Sequence, residues 1–336
     1  MFLSLRRPWW WLIALCGAAV LWLLAWLALS GTPGTSARLV EIAPGTRTQA
    51  MARQLHEANV IRQPWAFRAY VLLTGSARRL KAGEYEFPPR QPLPQVVHRL
   101  VAGDVVQRPL AVPEGFTAAQ IAERLEQAGL AGREAFMEVV RDPEVAKEWG
   151  VPAAGLEGFL FPDTYRLTKG LSPKEIARRM VERFHAQVGQ DLFAAGEAQG
   201  LKPLELITLA SILEREVAHR DELEIVASIF YNRLHGHKRL ESCATVLYSQ
   251  GRLSGSLSLE DLQTVSPYNT YRHFGLPPGP IGNPGLAAIR AAAHPAQTQY
   301  LFFVLGPDGR HIFSEDFDAH KRAKWRQKRL HPVAPK

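Results

Sequence analysis

Residues 42–60 read IAPGTRTQAMARQLHEANV, and residues 111–130 read AVPEGFTAAQIAERLEQAGL. The two align without a gap. Gly45 falls on Gly115, Met51 on Ile121, Ala52 on Ala122, Leu55 on Leu125 and Ala58 on Ala128. Each copy reads as a short strand, a glycine turn and an amphipathic helix with apolar residues at i, i+1, i+4 and i+7. Either strand–turn–helix units coincide here by chance, or the chain carries two related units that pack or bind alike.

Between the copies the pattern predicts a helix from about Trp65 to Thr74, a strand over Leu80–Phe87 and a short helix near Val96–Val101. Gly83 suits a turn or bulge where that strand begins. Residues 38–110 therefore form a small α+β module, and 111–332 a second, larger domain. Helix starts are legible in the second part. Ser172-Pro173-Lys174-Glu175 is a capping box with proline at the first helical position. Pro203 opens LELITLASILEREVA, and Asp221 with Glu224 opens a helix that Gly236 closes. Ser258 with Asp261 starts a short helix, and Asn283-Pro284 starts GLAAIRAAAH. Tyr300–Leu305 and His311–Ser314 flank Gly306-Pro307-Asp308-Gly309, a hairpin signal. Helices dominate and do not alternate regularly with strands. The fold class is α+β, and a doubly wound parallel sheet is not supported.

The N-terminal end is of another kind. From Trp9 to Leu29 the chain has no charge, and five of its eight tryptophans are there. At 1.5 Å per residue, about 21 helical residues cross a hydrocarbon core of about 30 Å. Arg6 and Arg7 precede the run, so residues 1–8 are expected in the cytoplasm and the rest outside. A cleaved signal peptide is the alternative, but the run is long for one and no small-x-small cleavage site follows. Ser30–Ala37 (SGTPGTSA) is a linker.

The 336 residues carry a net charge of +8, with 46% hydrophobic and 21% charged residues. That excludes a disordered chain. Cys16 lies in the apolar run and Cys243 far from it, so no disulfide framework or cysteine zinc site is expected. Lys321, Arg322, Lys324, Arg326, Lys328 and Arg329 form the one dense basic run, read as a solvated helix face or a surface for anionic lipid or wall polymer. Nucleic acid is not expected as a partner.

No nucleotide, hydrolase-elbow or zinc-protease motif occurs. His235 and His237 stand too close to share a helix face, so no metal site is expected. Three stretches could carry chemistry. In Leu156-Glu157-Gly158-Phe159-Leu160-Phe161-Pro162-Asp163-Thr164-Tyr165, one carboxylate sits among apolar residues beside Gly155 and Gly158. An apolar surround raises a carboxyl pKa, which makes Glu157 a candidate proton donor; a surface glutamate is the plainer alternative. Asp163 suits a turn or cap. In Ser266-Pro267-Tyr268-Asn269-Thr270-Tyr271 and the Gly/Pro-rich run to Gly285, a rigid loop could present Tyr268, Asn269 and Tyr271 to a polyhydroxylated ligand, or it is purely structural. Third, Glu214 and Glu216 point to different faces of one helix, so at most one faces a cleft, and Asn232 follows in FYNRL.

LEGFLFPDTY, ASILERE, IVASIFYNRL, TVSPYNTY and GLPPGPIGNPG, in that order, resemble the endolytic murein transglycosylase (MltG/YceG-like) family over nearly the whole chain. The resemblance implies a single N-terminal transmembrane helix (9–29), a LysM-like module (38–110) and a helix-rich α+β catalytic domain (111–332). It implies Glu157 as the catalytic residue, with Glu216, Asn232, Tyr268, Asn269, Tyr271 and Asp163 as substrate-binding or supporting residues, and needs no cofactor. It further implies peptidoglycan strands as substrate, the bilayer and cell-wall synthases as partners, and a place in the bacterial inner membrane facing outward. Where the family pattern suggests an aspartate, this chain has Cys243. A non-catalytic wall-binding scaffold and a hydrolytic muramidase using Glu157 with Asp163 are the rivals.

Overall fold

The computed structural model describes residues 10–31 and 35–330. Arg6, Arg7 and Trp9, the expected cytoplasmic stretch 1–8, part of the linker and the last residues of the chain lie outside them. The described chain divides into two units, Met1–Arg108 with Arg166–Gly170, and Pro109–Tyr165 with Leu171–Lys336.

The first unit opens with helix α1 (Trp10–Leu29), which contains no charged residue. Trp11, Ile13, Leu15, Val20, Leu21, Trp22 and Trp26 on it are exposed. Among the described residues no helix is long and apolar enough to cross a membrane. Strand β1 (Arg38–Ile42) follows, then helices α2 (Thr48–Glu57) and α3 (Pro64–Leu73), strand β2 (Gly83–Phe87) and helix α4 (Leu93–Ala102). β1 and β2 are antiparallel, with Val40 opposite Tyr85 and Glu41 opposite Glu84. Alternation along β1 turns Val40 and Ile42 inward, where Met51, Leu55, Phe67, Val96 and Leu100 meet Tyr85 and Phe87. β2 begins at Gly83 rather than Leu80. The glycine sits at φ +142°, and a Cβ there would lie 2.4 Å from Val105 Cγ1, so the chain bends where a side chain could not fit. Glu84, 3% exposed, meets Arg108 at 2.6 Å and Lys169 at 3.2 Å, so a carboxylate otherwise costly to bury is paired twice.

The second unit contains strand β3 (Arg108–Ala111, beginning at the boundary), helices α5 (Ala118–Gln127), α6 (Arg133–Arg141) and α7 (Pro143–Glu148), strand β4 (Thr164–Leu167, ending in the first unit) and helices α8 (Pro173–Gln187), α9 (Gln190–Ala198) and α10 (Pro203–Glu216). Helices α11 (Leu223–His235), α12 (Cys243–Ser249) and α13 (Leu286–Ala293), the hairpin β5 (Phe302–Leu305) and β6 (His311–Ser314), and helix α14 (Phe317–Leu330) complete it. α10 is the centre. Leu206, Ile207, Leu209, Ala210, Ile212 and Leu213 are all buried on it, so it has no solvent stripe over these turns. α13 packs on it closely because Ala288, Ala291, Ala292 and Ala293 present little bulk. Ser172 and Glu175 form the expected reciprocal cap on α8.

Two helix starts differ from the sequence reading. α11 begins at Leu223 without a side-chain cap, because Asp221 instead takes Arg310 at 2.7 Å. α13 begins at Leu286, because the Asn283 side chain is used elsewhere.

The sequence repeat is also a structural one. Gly45 and Gly115 turn at φ +77° and +78°. α2 and α5 start and end at matching positions, and both chains then turn through a positive φ, at Asn59 (+57°) and Gly129 (+64°). The aligned pairs Met51 and Ile121, Ala52 and Ala122, and Leu55 and Leu125 are all buried. One difference matters: Arg47 gives α2 no side-chain cap, whereas Thr117 and Gln120 form a capping box on α5.

Candidate active site

Glu157 lies in an irregular segment between α7 and β4. Its neighbours anchor it: Leu156, Phe159 and Leu160 are fully buried, and Phe159 packs edge-on against Phe184 of α8 at 5.0 Å. Gly158 sits at φ +91°, and a Cβ there would lie 2.4 Å from Pro280 Cγ. The glycines thus admit protein. Gly158 brings the acid's backbone against the Gly/Pro-rich loop, and Gly155 packs on the Val140 carbonyl.

Three segments converge on the carboxylate. The backbone N–H of Ala118, the first residue of α5, donates to Oε1 at 3.0 Å and Oε2 at 3.1 Å. Asn283 Nδ2 donates to Oε1 at 3.1 Å, and the Tyr248 hydroxyl donates to Oε2 at 3.4 Å. Asn283 is fully buried. Its Oδ1 accepts the N–H groups of Gly158 and Leu160, each at 2.9 Å, and its Nδ2 also donates to the Phe116 carbonyl at 2.8 Å. Two backbone bonds of 2.8 Å, Gly115 N–H to Asn283 O and Asn283 N–H to Phe116 O, lock the loop to the turn before α5.

Burial pushes the Glu157 carboxyl up to about 7, against the lowering effect of the Ala118, Tyr248 and Asn283 hydrogen bonds and the charge of Arg215. Desolvation disfavours the anion, while the donors and the start of α5 favour it. The balance leaves the group able to hold or release a proton near neutrality, which is what one carboxyl needs to act as acid and then as base.

Glu157 opens onto a cavity of about 710 Å³, walled by Thr117 at the cap of α5, Gln120 and Glu123 of α5, Met137 and Arg141 of α6, and Tyr248, Tyr268, Gly279 and Pro280. The Tyr248 and Tyr268 rings stand 5.1 Å apart and make one aromatic wall.

Of the residues singled out in the sequence, Tyr268 shares this cavity with Glu157; the others take different places. Asn269 is wholly buried. Its Nδ2 donates to the carbonyls of Leu262 and Thr264, and its Oδ1 accepts Tyr271 N–H, so it shapes the loop. Tyr271 pairs its hydroxyl with Cys243 Sγ at 3.2 Å. Glu216 accepts from Ser242 Oγ and from Ala244 N–H, at the start of α12. Glu214 accepts Gly285 N–H at 2.9 Å. Asn232 donates to the Thr298 and Tyr300 carbonyls, each at 2.9 Å. Asp163 caps Thr164 N–H at 2.7 Å and pairs with Arg183 at 2.6 Å. Sequence reading missed Asn283, Tyr248 and the Ala118 N–H. The ordered GNPG stretch marked the first only as a helix start.

Fold and site together define a helix-rich α+β protein with one tuned carboxyl in an aromatic-walled cleft. The chain belongs to the YceG-like family, whose model matches residues 40–326. A crystal structure of a YceG-like protein from Listeria monocytogenes superposes with a TM-score of 0.59 at 30% identity, over 86% of this chain and 99% of that one. The endolytic murein transglycosylase of Bacillus subtilis strain 168 is 29% identical over 301 residues, 85% of this chain and 83% of its own length. That of Streptococcus pneumoniae strain D39 is 29% identical over 317 residues, and this chain spans 57% of its length.

Proposed function

We propose that this chain is an endolytic peptidoglycan lytic transglycosylase with Glu157 as its catalytic acid and base. The observation that carries the reading is the Glu157 carboxyl, desolvated to about 7 and open to the cavity. Glu157 protonates the oxygen that links muramoyl C1 to the next sugar, and the C1–O bond breaks. The resulting carboxylate then takes the proton of the muramoyl C6 hydroxyl as that oxygen bonds to C1. The product is a 1,6-anhydro end; no water is consumed, and Glu157 is returned protonated. The Tyr248–Tyr268 wall suits a sugar ring, which offers an apolar face to aromatic carbon. Asp163 is held by Arg183, which favours this single-carboxyl route over a Glu157–Asp163 hydrolytic pair.

In this reading residues 9–29 anchor the chain in the inner membrane and the catalytic domain, 111–332, acts outside it. Exposed apolar side chains along a charge-free α1 support the anchor, because such a helix has no face suited to water. Residues 38–110 serve as a LysM-like module, and wall synthases supply the nascent strands. Mass spectrometry of sacculi digested by the purified full chain tests the reading. Anhydro-muramoyl ends from strand interiors are expected. Reducing ends would make it a hydrolase, and no new ends a scaffold.

A further inference from the structure

A second cavity, of about 680 Å³, lies beside the first, and the two share Leu204 and Pro278 as walls. It is built by the turn after α9, the first turns of α10, the end of α11 and the loop at Gly275–Pro278. Its character differs from that of the Glu157 cavity. Lys202 and His235 are exposed on its rim, Glu205 brings a carboxylate whose Oε2 caps α10 at the Lys202 N–H (2.8 Å) and whose Oε1 remains for a ligand, and Leu234 and Leu276 supply an apolar floor. Its one tyrosine, Tyr231, is buried (4% exposed) and donates its hydroxyl to the Ala292 carbonyl at 2.8 Å, so no tyrosine face is free to lie against a sugar. Charges of both signs over an aliphatic floor instead match a short peptide bearing carboxylates and an ammonium group.

We infer that this second cavity binds the peptide branch of the substrate while the glycan backbone lies in the Glu157 cavity. The inference rests on the proposed function. A linear sugar polymer needs one groove, whereas a glycan that carries peptides needs a side channel opening off it. Leu204 and Pro278 stand where the two meet. Lys202 takes the branch carboxylates and Glu205 its ammonium.

The test uses the full chain in detergent, wild type and Lys202→Glu. An acidic residue at the start of α10 suits the helix dipole, so the variant is expected to fold. Two measurements are made: calorimetric titration with a free stem tetrapeptide ending in a D-alanine carboxylate, and kcat/KM on glycan strands with their peptides and on the same strands stripped by an amidase. Wild type is expected to bind the tetrapeptide and to cut peptide-bearing strands at least about fivefold faster than stripped ones. Lys202→Glu should weaken peptide binding at least about tenfold and erase that preference, with the rate on stripped strands unchanged. Equal cutting of both strands by wild type, an equal loss on both in the variant, or no tetrapeptide binding by wild type overturns the inference. Tetrapeptide binding without new anhydro ends on either strand would instead remove the proposed function.

Discussion

Asn283 and Glu157 are joined on both sides of one amide: Nδ2 holds the carboxylate Oε1 at 3.1 Å, while Oδ1 holds the backbone on the far side of the same residue, at Gly158 N–H. The side chain fixes both the acid and the peptide that carries it. Asn283→Asp keeps the acceptor but replaces the donor with a second carboxyl, which raises the Glu157 pKa further. Release of anhydro ends should fall at least about tenfold, with the pH profile moved to alkaline values. Asn283→Ala strands the Gly158 and Leu160 N–H groups and should destabilise the fold by at least about 3 kcal/mol, read by denaturant titration. Full activity in a folded Asp variant would remove Asn283 from the site.

Activity should depend on pH through the protonated acid. With the Glu157 carboxyl at about 7, kcat/KM should be level on the acid side and fall about tenfold per unit above that value. The Tyr248 hydroxyl favours the anion, so Tyr248→Phe should shift the limb upward. A profile that does not move in the Phe variant would show that Tyr248 does not act on the acid.

The same carboxyl makes stability fall with pH. Its folded pKa, about 7, lies above the ordinary 4.5, so between those values the folded state holds a proton that the unfolded chain has released. There is no penalty below 4.5; it grows as pH rises and levels off above about 7, at no more than about 3 kcal/mol. Glu157→Gln carries no such charge. It should melt with wild type at pH 4 and several degrees above it at pH 8, while losing about 10²–10⁴-fold in activity. Equal melting at pH 8 would deny the burial its cost.

Asn269 gives the opposite pattern. Its three hydrogen bonds are internal and it is fully buried, so Asn269→Ala should cost about 2–4 kcal/mol and lower the melting temperature. Below that temperature, activity per folded molecule should stay near wild type. Lost activity with unchanged melting would return Asn269 to the substrate groove, where the sequence reading had it.

What could be read in advance was local. The capping box at Ser172 and Glu175, the two strand–turn–helix copies and the hairpin at 306–309 are written in adjacent residues. Glu157 was legible because its glycines and apolar neighbours adjoin it. Its partners were not. Asn283 is 126 residues away, and an asparagine before a proline reads as a helix start. The Ala118 donor is a backbone group, which no side-chain pattern shows. Tyr248 lies in α12, a seven-residue helix opened by a cysteine, too short to show a period. Asn232 and Asn269 looked like ligand contacts because polar side chains in a helix and a loop read alike whether they meet solvent or buried carbonyls.

The segments that meet at Glu157 set when its carboxyl pKa is raised. In an unfolded chain the side chain is an ordinary carboxylate near 4.5, fully ionised at neutral pH and unable to give a proton. Only after the turn before α5 and the loop at Asn283 have closed over it, across 39 and 126 residues of chain, does water leave and the proton stay. Under the proposed function, a chain in which those segments have not yet closed holds no acid able to protonate the glycosidic oxygen.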